Sequence, residues 1–372
     1  MRPSLQPLPI AFGVFGLVWG AWQSVLPDLA GRFGLSTGPL GLMLTAGFAV
    51  SLPVMLGAGR LLDVAGAGKG IAITALGMAC GLAIVGTLGS VPVLVVGIIV
   101  FAAGSGAFDV AINGAALGDE TWSRPARLTL LHAAFSGGGV IGAVGGGALI
   151  GGGVSFQVVY PILALAVVGV AALALSATWR GLPSQGSIPR EIALAMLPLA
   201  ALAGLAFLAE GSMETWSAIY LRDELGAAAF VGALGPGAFH AAMLVGRLIG
   251  AGVAGSLGAS TTLLVSGSMT VVGMAVALLV PAPLAAIAGM GVAALGVAFV
   301  VPVVVSLAGR RAGPYAGRAA SYVLTLGYAG FLVGPSLVGV LGELASLRVA
   351  LVVIPVAAGV IALGSRSRMA RG

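Results

Sequence analysis

Residues 91–117, VPVLVVGIIVFAAGSGAFDVAINGAAL, decide the fold of this chain. Asp109 is the one charged residue in this stretch. A helix needs about 20 apolar residues to cross the hydrocarbon core of a bilayer, which is about 30 Å thick. The stretch therefore predicts a membrane-spanning helix that carries a single carboxyl group.

Similar apolar stretches fill most of the chain. Apolar residues make up 59% of the sequence and charged residues only 8%, whereas soluble domains carry about 25% charged residues. The 62 glycines fit the same class, because glycine lets membrane helices pack closely. We predict an all-α membrane protein with twelve transmembrane helices, near 8–30, 39–59, 70–89, 91–117, 127–151, 156–178, 193–221, 228–254, 260–281, 283–308, 318–342 and 347–364.

A polar stretch near the middle of the chain predicts two halves. We expect an N-terminal six-helix bundle over 1–178, a cytoplasmic linker over 179–192 and a C-terminal six-helix bundle over 193–372. A short repeat agrees with this division, since Gly59–Leu62 (GRLL) recurs as Gly246–Ile249 (GRLI). Many transporters are built from such repeats, with the substrate site near the middle of the membrane where the repeats meet.

The basic residues favour one orientation in the membrane. If both termini are cytoplasmic, 14 of the 17 lysines and arginines lie on the cytoplasmic side, and only Arg32, Arg222 and Arg348 lie on the other. This distribution follows the positive-inside rule and, with the composition, predicts a multi-pass protein of a bacterial inner membrane. The net charge of +6 does not indicate nucleic acid, because the basic residues are scattered over short loops.

Asp109 and Asn113 are four residues apart and so share one face of the fourth predicted helix. Apolar surroundings disfavour an ionised carboxyl group, so its protonation can change with conformation and ligand. Ionisable residues inside a membrane commonly mark substrate or proton pathways. We therefore predict Asp109 as a proton-coupling residue and Asn113 as a substrate-binding residue. The alternative is that both form structural hydrogen bonds between helices.

Several motifs resemble the major facilitator superfamily. Gly59–Lys69 (GRLLDVAGAGK), between the second and third predicted helices, is similar to the loop signature of that superfamily, with Val64 in place of its usual arginine. Phe108–Gly114 (FDVAING), Leu131–Gly138 (LHAAFSGG) and Glu210–Ser217 (EGSMETWS) resemble the fucose–proton symporter branch and its bacterial sugar-permease relatives.

The resemblance implies a facilitator fold, a central cavity and, as in the sugar-transporting members, proton coupling. It implies that Asp109 matches a coupling acid and that His132 matches a polar residue that faces the cavity. We therefore predict His132 as a coupling and binding candidate, with a structural histidine as the alternative. The symporter has a membrane-embedded acid in its first span, where this chain has Gln23. The resemblance therefore does not imply that proton coupling in this chain uses two acids, as it does in the symporter, or that the solute is fucose.

The seventh and first predicted helices supply further candidates. Glu210 and Glu214 share a helix face, and two like charges so placed in lipid would repel unless one is neutral or paired. We predict that Glu210 takes part in proton coupling. Trp19, Trp22 and Trp216 could stack on a flat ligand such as a sugar ring. For Trp216 the alternative is anchoring at the membrane interface. His240 is predicted to be structural. The predicted substrate-binding residues are Trp19, Trp22, Gln23, Asn113, His132, Glu210, Glu214 and Trp216.

Charged residues at the cytoplasmic helix ends predict a gating layer. Arg60, Asp63 and Lys69 lie around the link between the second and third predicted helices, and Arg247 lies near the cytoplasmic end of the eighth. Facilitator proteins break and remake such surface pairs during transport. The alternatives are a solvated loop for the first three residues and, for Arg247, a side chain that extends to the interface.

Glycine and proline predict two packing features. Gly138, Gly142 and Gly146 recur at intervals of four in the fifth predicted helix and leave one smooth face for a neighbouring helix. Pro335 removes a backbone hydrogen bond and should kink the eleventh helix.

These observations favour a secondary active transporter. We predict a proton-coupled symporter that moves a small polar solute, with a sugar-like compound as the best candidate, and we expect a monomer. The alternatives are a drug or metabolite exporter and a ligand-binding membrane sensor. An enzyme is not expected, because the sequence has no zinc motif, nucleophile elbow or phosphate-binding loop. We expect no cofactor, no metal and no catalytic residue.

Overall fold

The computed structural model describes residues 7–87, 89–118, 125–177, 179 and 188–366. All regular elements in these ranges are helices. Contacts divide the chain into two compact units, Met1–Ser184 and Gln185–Gly372. Most of the predicted linker lies outside the described residues, as do five of the basic residues assigned to the cytoplasmic side, namely Arg2, Arg124, Arg180, Arg368 and Arg371.

The helices follow one another with short links. The N-terminal unit contains α1 (Leu8–Phe33), α2 (Thr37–Ala65), α3 (Ala67–Thr87), α4 (Val91–Gly118), α5 (Pro125–Gly151) and α6 (Phe156–Ser176). The C-terminal unit contains α7 (Arg190–Ile219), α8 (Ala229–Leu279), α9 (Pro283–Val297), α10 (Val300–Ala312), α11 (Ala316–Gly327), α12 (Ala329–Leu344), α13 (Leu347–Ala350) and α14 (Val353–Gly364).

Eleven segments of the described residues are long and apolar enough to cross a membrane. One of them, Pro283–Leu344, has 62 residues, which is enough for two crossings, since one takes about 20 residues. It is interrupted at Gly313, whose φ is 52°, and α10 and α11 on either side pack against each other. The prediction of twelve spans is therefore confirmed.

Three predicted spans are interrupted in the structure, namely span ten between α9 and α10, span eleven between α11 and α12, and span twelve between α13 and α14. Spans eight and nine lie in α8, which consists of two helices that meet at a kink at Gly258, where φ is 74° and ψ is 163°, and this kink falls within the predicted link between the two spans. Span eleven is interrupted at Tyr328, between α11 and α12, and not at Pro335, which lies inside α12. Tyr328 has φ −56° and ψ −18°, which are 3₁₀-like angles, so the interruption is a local tightening of the helix.

Glycines bring α1 and α5 close together in the N-terminal unit. A Cβ added at Gly138 would overlap the carbonyl oxygen of Gly13, and one at Gly142 would overlap that of Leu17. The predicted role of these glycines in close packing is confirmed, because only residues without a side chain let two helix backbones approach so closely.

The C-terminal unit repeats the packing of the N-terminal unit. In the N-terminal unit the first span, α1, packs on the fifth, α5. In the C-terminal unit the seventh span, α7, packs in the same way on the eleventh span, which consists of α11 and α12. A Cβ added at Gly330 in this second contact would overlap the carbonyl oxygen of Gly204. As α3 packs on α4, so the second part of α8 packs on α9, where Gly273 and Gly289 face each other. The two six-helix bundles are therefore pseudo-symmetric.

A hydrogen-bonded contact ties the end of the seventh span to the start of the twelfth. Beyond α7, residues Tyr220–Glu224 form one π-helical turn. Glu224 Oε1 accepts hydrogen bonds from the backbone N–H groups of Leu347, at 2.7 Å, and Arg348, at 3.3 Å. Tyr220 in the same turn donates its hydroxyl proton to the carbonyl oxygen of Ala277, at 3.0 Å. Because the first N–H groups of a helix have no partner within the helix, Glu224 caps α13 from another span.

Removing this cap should destabilise the C-terminal unit. We expect Glu224→Ala to lower the free energy of unfolding by about 1–2 kcal/mol, as the loss of an N-cap does, and Glu224→Gln to lower it less, because its side-chain oxygen can still accept both bonds. Thermal unfolding of the purified protein measures the difference. Equal melting temperatures of Glu224→Ala and the unsubstituted protein would contradict the capping role.

Candidate substrate and coupling residues

Asp109 and Asn113 form a hydrogen-bonded pair on one face of α4. Asn113 Nδ2 donates to Asp109 Oδ1, at 2.8 Å, and to the backbone carbonyl oxygen of Asp109, at 3.0 Å. Both side chains are partly exposed within the span. The amide is therefore a neutral donor to the carboxyl group of Asp109, and the pair keeps part of its surface exposed.

His132 of α5 lies against α1. Its ring meets the ring of Phe12 edge-to-face, with centroids 5.4 Å apart, and the side chain is partly exposed. The neighbouring α1 residue Phe15 contacts the rings of Phe108 and Phe135. These aromatic rings link α1, α4 and α5, and Phe108 precedes Asp109 in the chain, so α1 is the element that connects the surroundings of His132 and Asp109.

The two tryptophans of α1 differ in accessibility. Trp22 is 3% exposed and stacks on Phe101, with centroids 4.5 Å apart, beside Tyr160. Trp19 is partly exposed and stacks nearly parallel on Phe48, at 6.1 Å. Trp22 is therefore packed in the core of the unit, whereas Trp19 keeps a surface on which a solute can stack.

Gln23 of α1 is also buried. Its side chain is 1% exposed. The next residue, Ser24, donates its hydroxyl proton to the carbonyl oxygen of Ala21, at 3.0 Å, and faces Gly146 of α5. This part of α1 is therefore closed by packing, and a solute reaches Gln23 only if α1 and its neighbours rearrange.

A charged cluster lies within the spans of the C-terminal unit. Arg247 of α8 interacts electrostatically with both Glu210 and Glu214 of α7, and the two carboxyl groups interact with each other. Glu210 is 6% exposed, and Glu214 and Arg247 are partly exposed. Arg247, which the sequence assigns to a gate, thus lies with the predicted coupling acid Glu210. We call these three residues the Glu–Glu–Arg cluster.

Aromatic rings lie beside the Glu–Glu–Arg cluster. Phe207, one helical turn before Glu210, stacks on Tyr328 and on Phe331, with centroids 5.0 Å apart in each pair. Tyr328 also interacts electrostatically with Arg247. Sequence reasoning missed Phe207, Tyr328 and Phe331, because apolar spans contain many aromatic residues and only the fold brings α7 and the interrupted span eleven together.

Trp216 is fully buried, with 0% of its surface exposed. A tryptophan that anchors a helix at the membrane interface has its ring among the lipid headgroups, and burial of the whole ring within the protein argues against that alternative. Its indole Nε1 and the hydroxyl groups of Ser212 and Ser217 have no hydrogen-bond partner among the described residues. Span seven thus buries unsatisfied donors close to the Glu–Glu–Arg cluster, and such groups gain free energy when a partner reaches them.

His240 is buried inside the C-terminal unit, whereas three predicted gate residues are exposed at a turn of the N-terminal unit. His240 of α8 is 1% exposed, lies edge-to-face with Phe239 at 5.3 Å and is within electrostatic range of Arg247. Arg60, Asp63 and Lys69 are all exposed around the turn between α2 and α3.

The fold and these sites together define a functional class of membrane protein. Twelve spans in two repeated bundles, with ionisable side chains held inside the spans, are the construction of a secondary membrane transporter. Residues 10–335 match the family model of the Major Facilitator Superfamily. The chain belongs to that superfamily, and it is a membrane transporter and not an enzyme.

Individual relatives agree with this assignment. An uncharacterized MFS-type transporter of Yersinia pestis is 30% identical over 348 residues, which cover 92% of this chain and 89% of that protein. The structure of the nucleoside transporter NupG matches with a TM-score of 0.76 at 13% identity, over 98% of both chains. That of the E. coli fucose–proton symporter FucP matches with a TM-score of 0.66 at 18% identity, over 98% of this chain and 99% of that one. At such identities the solved structures show the fold alone.

Proposed function

We propose that this protein carries a small hydroxylated solute across the bacterial inner membrane by alternating access, coupled to protons. Asp109 accepts the transported proton, with His132 and Glu210 as its partners in coupling. Trp19 and Asn113 in the N-terminal unit and Glu210 in the C-terminal unit are the proposed substrate-binding residues, while Arg60, Asp63 and Lys69 belong to a cytoplasmic gate.

The observation that carries the proposal is the charge count of the Glu–Glu–Arg cluster. Two carboxyl groups, Glu210 and Glu214, share one guanidinium, Arg247, within membrane spans. A net charge is unfavourable in these surroundings, and with His240 uncharged the cluster is neutral only when one carboxyl group holds a proton. Binding or release of that proton changes how the cluster interacts with a solute and with its neighbours, which is what coupling requires.

The aromatic rings favour a solute that has a flat face as well as hydroxyl groups. Phe207, Tyr328 and Phe331 stand beside the acids, and Trp19 offers a partly exposed ring in the other unit. Aromatic rings stack on the apolar faces of sugars and of nucleobases. A sugar is our first candidate, and a nucleoside, the solute named for NupG, is the second.

The proposal includes an arrangement in the membrane. Both termini are cytoplasmic, as the distribution of basic residues indicates, and the bundles are formed by 1–178 and 193–372, joined by a cytoplasmic linker over 179–192. The transporting unit is a monomer. Cysteine accessibility on the two sides of right-side-out membrane vesicles tests the orientation, and labelling of a terminal cysteine from outside would contradict it.

The substrate is best sought by thermal shift. A ligand that binds only the folded state raises the melting temperature in proportion to the logarithm of its concentration. We expect stabilisation by a sugar or a nucleoside, and none by drugs or organic acids. Stabilisation by a hydrophobic drug alone would contradict the proposed substrate class.

Replacing the central carboxyl group should uncouple transport. We expect Asp109→Asn to reduce proton-driven uptake of the identified solute at least ~100-fold while counterflow of the same solute continues, because an amide cannot take up the proton that the carboxyl group carries. Glu191→Gln, at an exposed acid in the first turn of α7, is the matched control and should transport normally. If Asp109→Asn kept its dependence on the proton gradient, the role of Asp109 would be wrong.

A further inference from the structure

A groove of about 490 Å³ runs between α2, α3 and α4 in the N-terminal unit. Small side chains form its floor, among them Ala58 and Ala107, which are 3% and 4% exposed. Larger side chains form its rim, among them Val54 and Ile73, which are 40% and 51% exposed. Thr74 is the one polar residue of the lining, and its hydroxyl donates to carbonyl oxygens of its own helix.

The groove suits hydrocarbon better than water or a polar solute. Thr74 has already used its donor within α3, and a water molecule in a cavity needs two to four polar partners. The groove is also open at Gly57, where an added Cβ would have no neighbour within 4 Å. A chain of methylene groups could therefore lie along the rim and gain about 0.8 kcal/mol for each group that it buries.

Two cations stand at one end of this groove. Arg60 follows the lining residue Gly57 by three positions and shares its helix face, next to the last lining residue of α2, Leu61. Lys69 precedes the lining residue Ile73 by four positions, one helical turn away on the same face of α3. Both side chains are exposed. Because α2 ends at Ala65 and α3 begins at Ala67, both cations are at the same end.

The described charged residues of α2 and α3 at this end carry a positive charge overall. Asp63, the acid of the same turn, is exposed as well and offsets one of the two cations, which leaves one positive charge. Basic residues between membrane helices at the membrane surface bind the headgroups of anionic lipids. The apolar groove suits an acyl chain, and the cationic end suits an anionic headgroup attached to it.

We propose that the α2–α3–α4 groove binds an anionic phospholipid, with an acyl chain along Gly57 and Ile73 and the headgroup phosphate between Arg60 and Lys69. The lipid covers the open face of the N-terminal bundle. It is a bound partner and not cargo, and its binding is independent of which solute the protein carries.

Native mass spectrometry of the full-length protein tests this proposal. The purified protein is exchanged into detergent with equal amounts of phosphatidylglycerol and phosphatidylcholine that have the same acyl chains. We expect one phosphatidylglycerol molecule to be retained at least ~10-fold more often than phosphatidylcholine. Glycerol 3-phosphate, which has the phosphate without acyl chains, should not be retained. Equal retention of the two lipids, or retention of glycerol 3-phosphate, would overturn the proposal.

Two variants separate the groove from the cationic end. Gly57→Phe fills the open space of the groove and should lower retention of both lipids. Gly169→Phe is the matched control, because a Cβ at Gly169 of α6 also has no neighbour within 4 Å and lies outside the groove. Arg60→Gln combined with Lys69→Gln should remove the preference for phosphatidylglycerol. If Gly57→Phe, folded as judged by circular dichroism, retained as much phosphatidylglycerol as Gly169→Phe, the groove would not be the site.

Discussion

Gly142→Leu should abolish folding of the N-terminal bundle. At this position α5 lies directly against α1, and a Cβ would overlap the carbonyl oxygen of Leu17 and crowd the backbone of Ala21. Neither atom can move unless the whole helix moves. The longest close contact of the unit would have to open, and overpacking that forces a backbone shift destabilises by about 1–3 kcal/mol or more.

Gly145→Leu separates this steric effect from a change in hydrophobicity. Gly145 lies in the same helix one turn further along, and a Cβ there has no neighbour within 4 Å. We expect Gly145→Leu to elute as a single monodisperse peak in size-exclusion chromatography and Gly142→Leu to aggregate. A monodisperse Gly142→Leu protein with an unchanged melting temperature would show that α1 and α5 are further apart than described above.

Arg247→Gln should destabilise the C-terminal bundle by up to about 3 kcal/mol, the low end of the loss for a fully buried charge pair, because Arg247 and Glu214 are partly exposed. The substitution leaves Glu210 and Glu214 in span seven without the guanidinium that interacts with both. The matched control is Arg310→Gln, since Arg310 is exposed at the end of α10 and donates only to the hydroxyl of Ser306. We expect the control to change the melting temperature little.

A second substitution tests whether the loss comes from charge. Glu210→Gln removes one negative charge, so the double variant Glu210→Gln with Arg247→Gln should recover part of the stability lost in Arg247→Gln. Thermal unfolding of both single variants and the double variant gives the coupling energy. Additive losses would mean that Arg247 stabilises the bundle by packing alone and that the three residues are not a charge cluster.

The sequence predicts the fold well because lipid constrains it strongly. Every backbone polar group inside a bilayer must bond within the protein, so long apolar runs can only be helices. The glycine stripe of α5 could also be predicted, because spacing by four places residues on one face. The position of the interruption at Tyr328 could not be predicted, since it depends on the backbone angles of a single residue within an apolar run. The break at Gly258, by contrast, falls in the predicted link between spans eight and nine.

The candidate sites are predicted less completely, because pairing of side chains depends on tertiary packing. The i, i+4 spacing of Asp109 and Asn113 indicates their shared face, and the structure adds the hydrogen bond. The meeting of Arg247 with Glu210 depends on how α8 packs on α7, which no local pattern contains. The burial of Trp22 and Trp216 has the same origin.

Solute uptake into proteoliposomes tests proton-coupled transport most directly. The purified protein is reconstituted, the identified solute is supplied outside, and uptake is followed with an inward proton gradient and again after a protonophore has removed that gradient. We predict accumulation above the outside concentration with the gradient and only equilibration without it. Equal uptake in both conditions would contradict proton coupling, and binding of the solute without uptake would contradict transport.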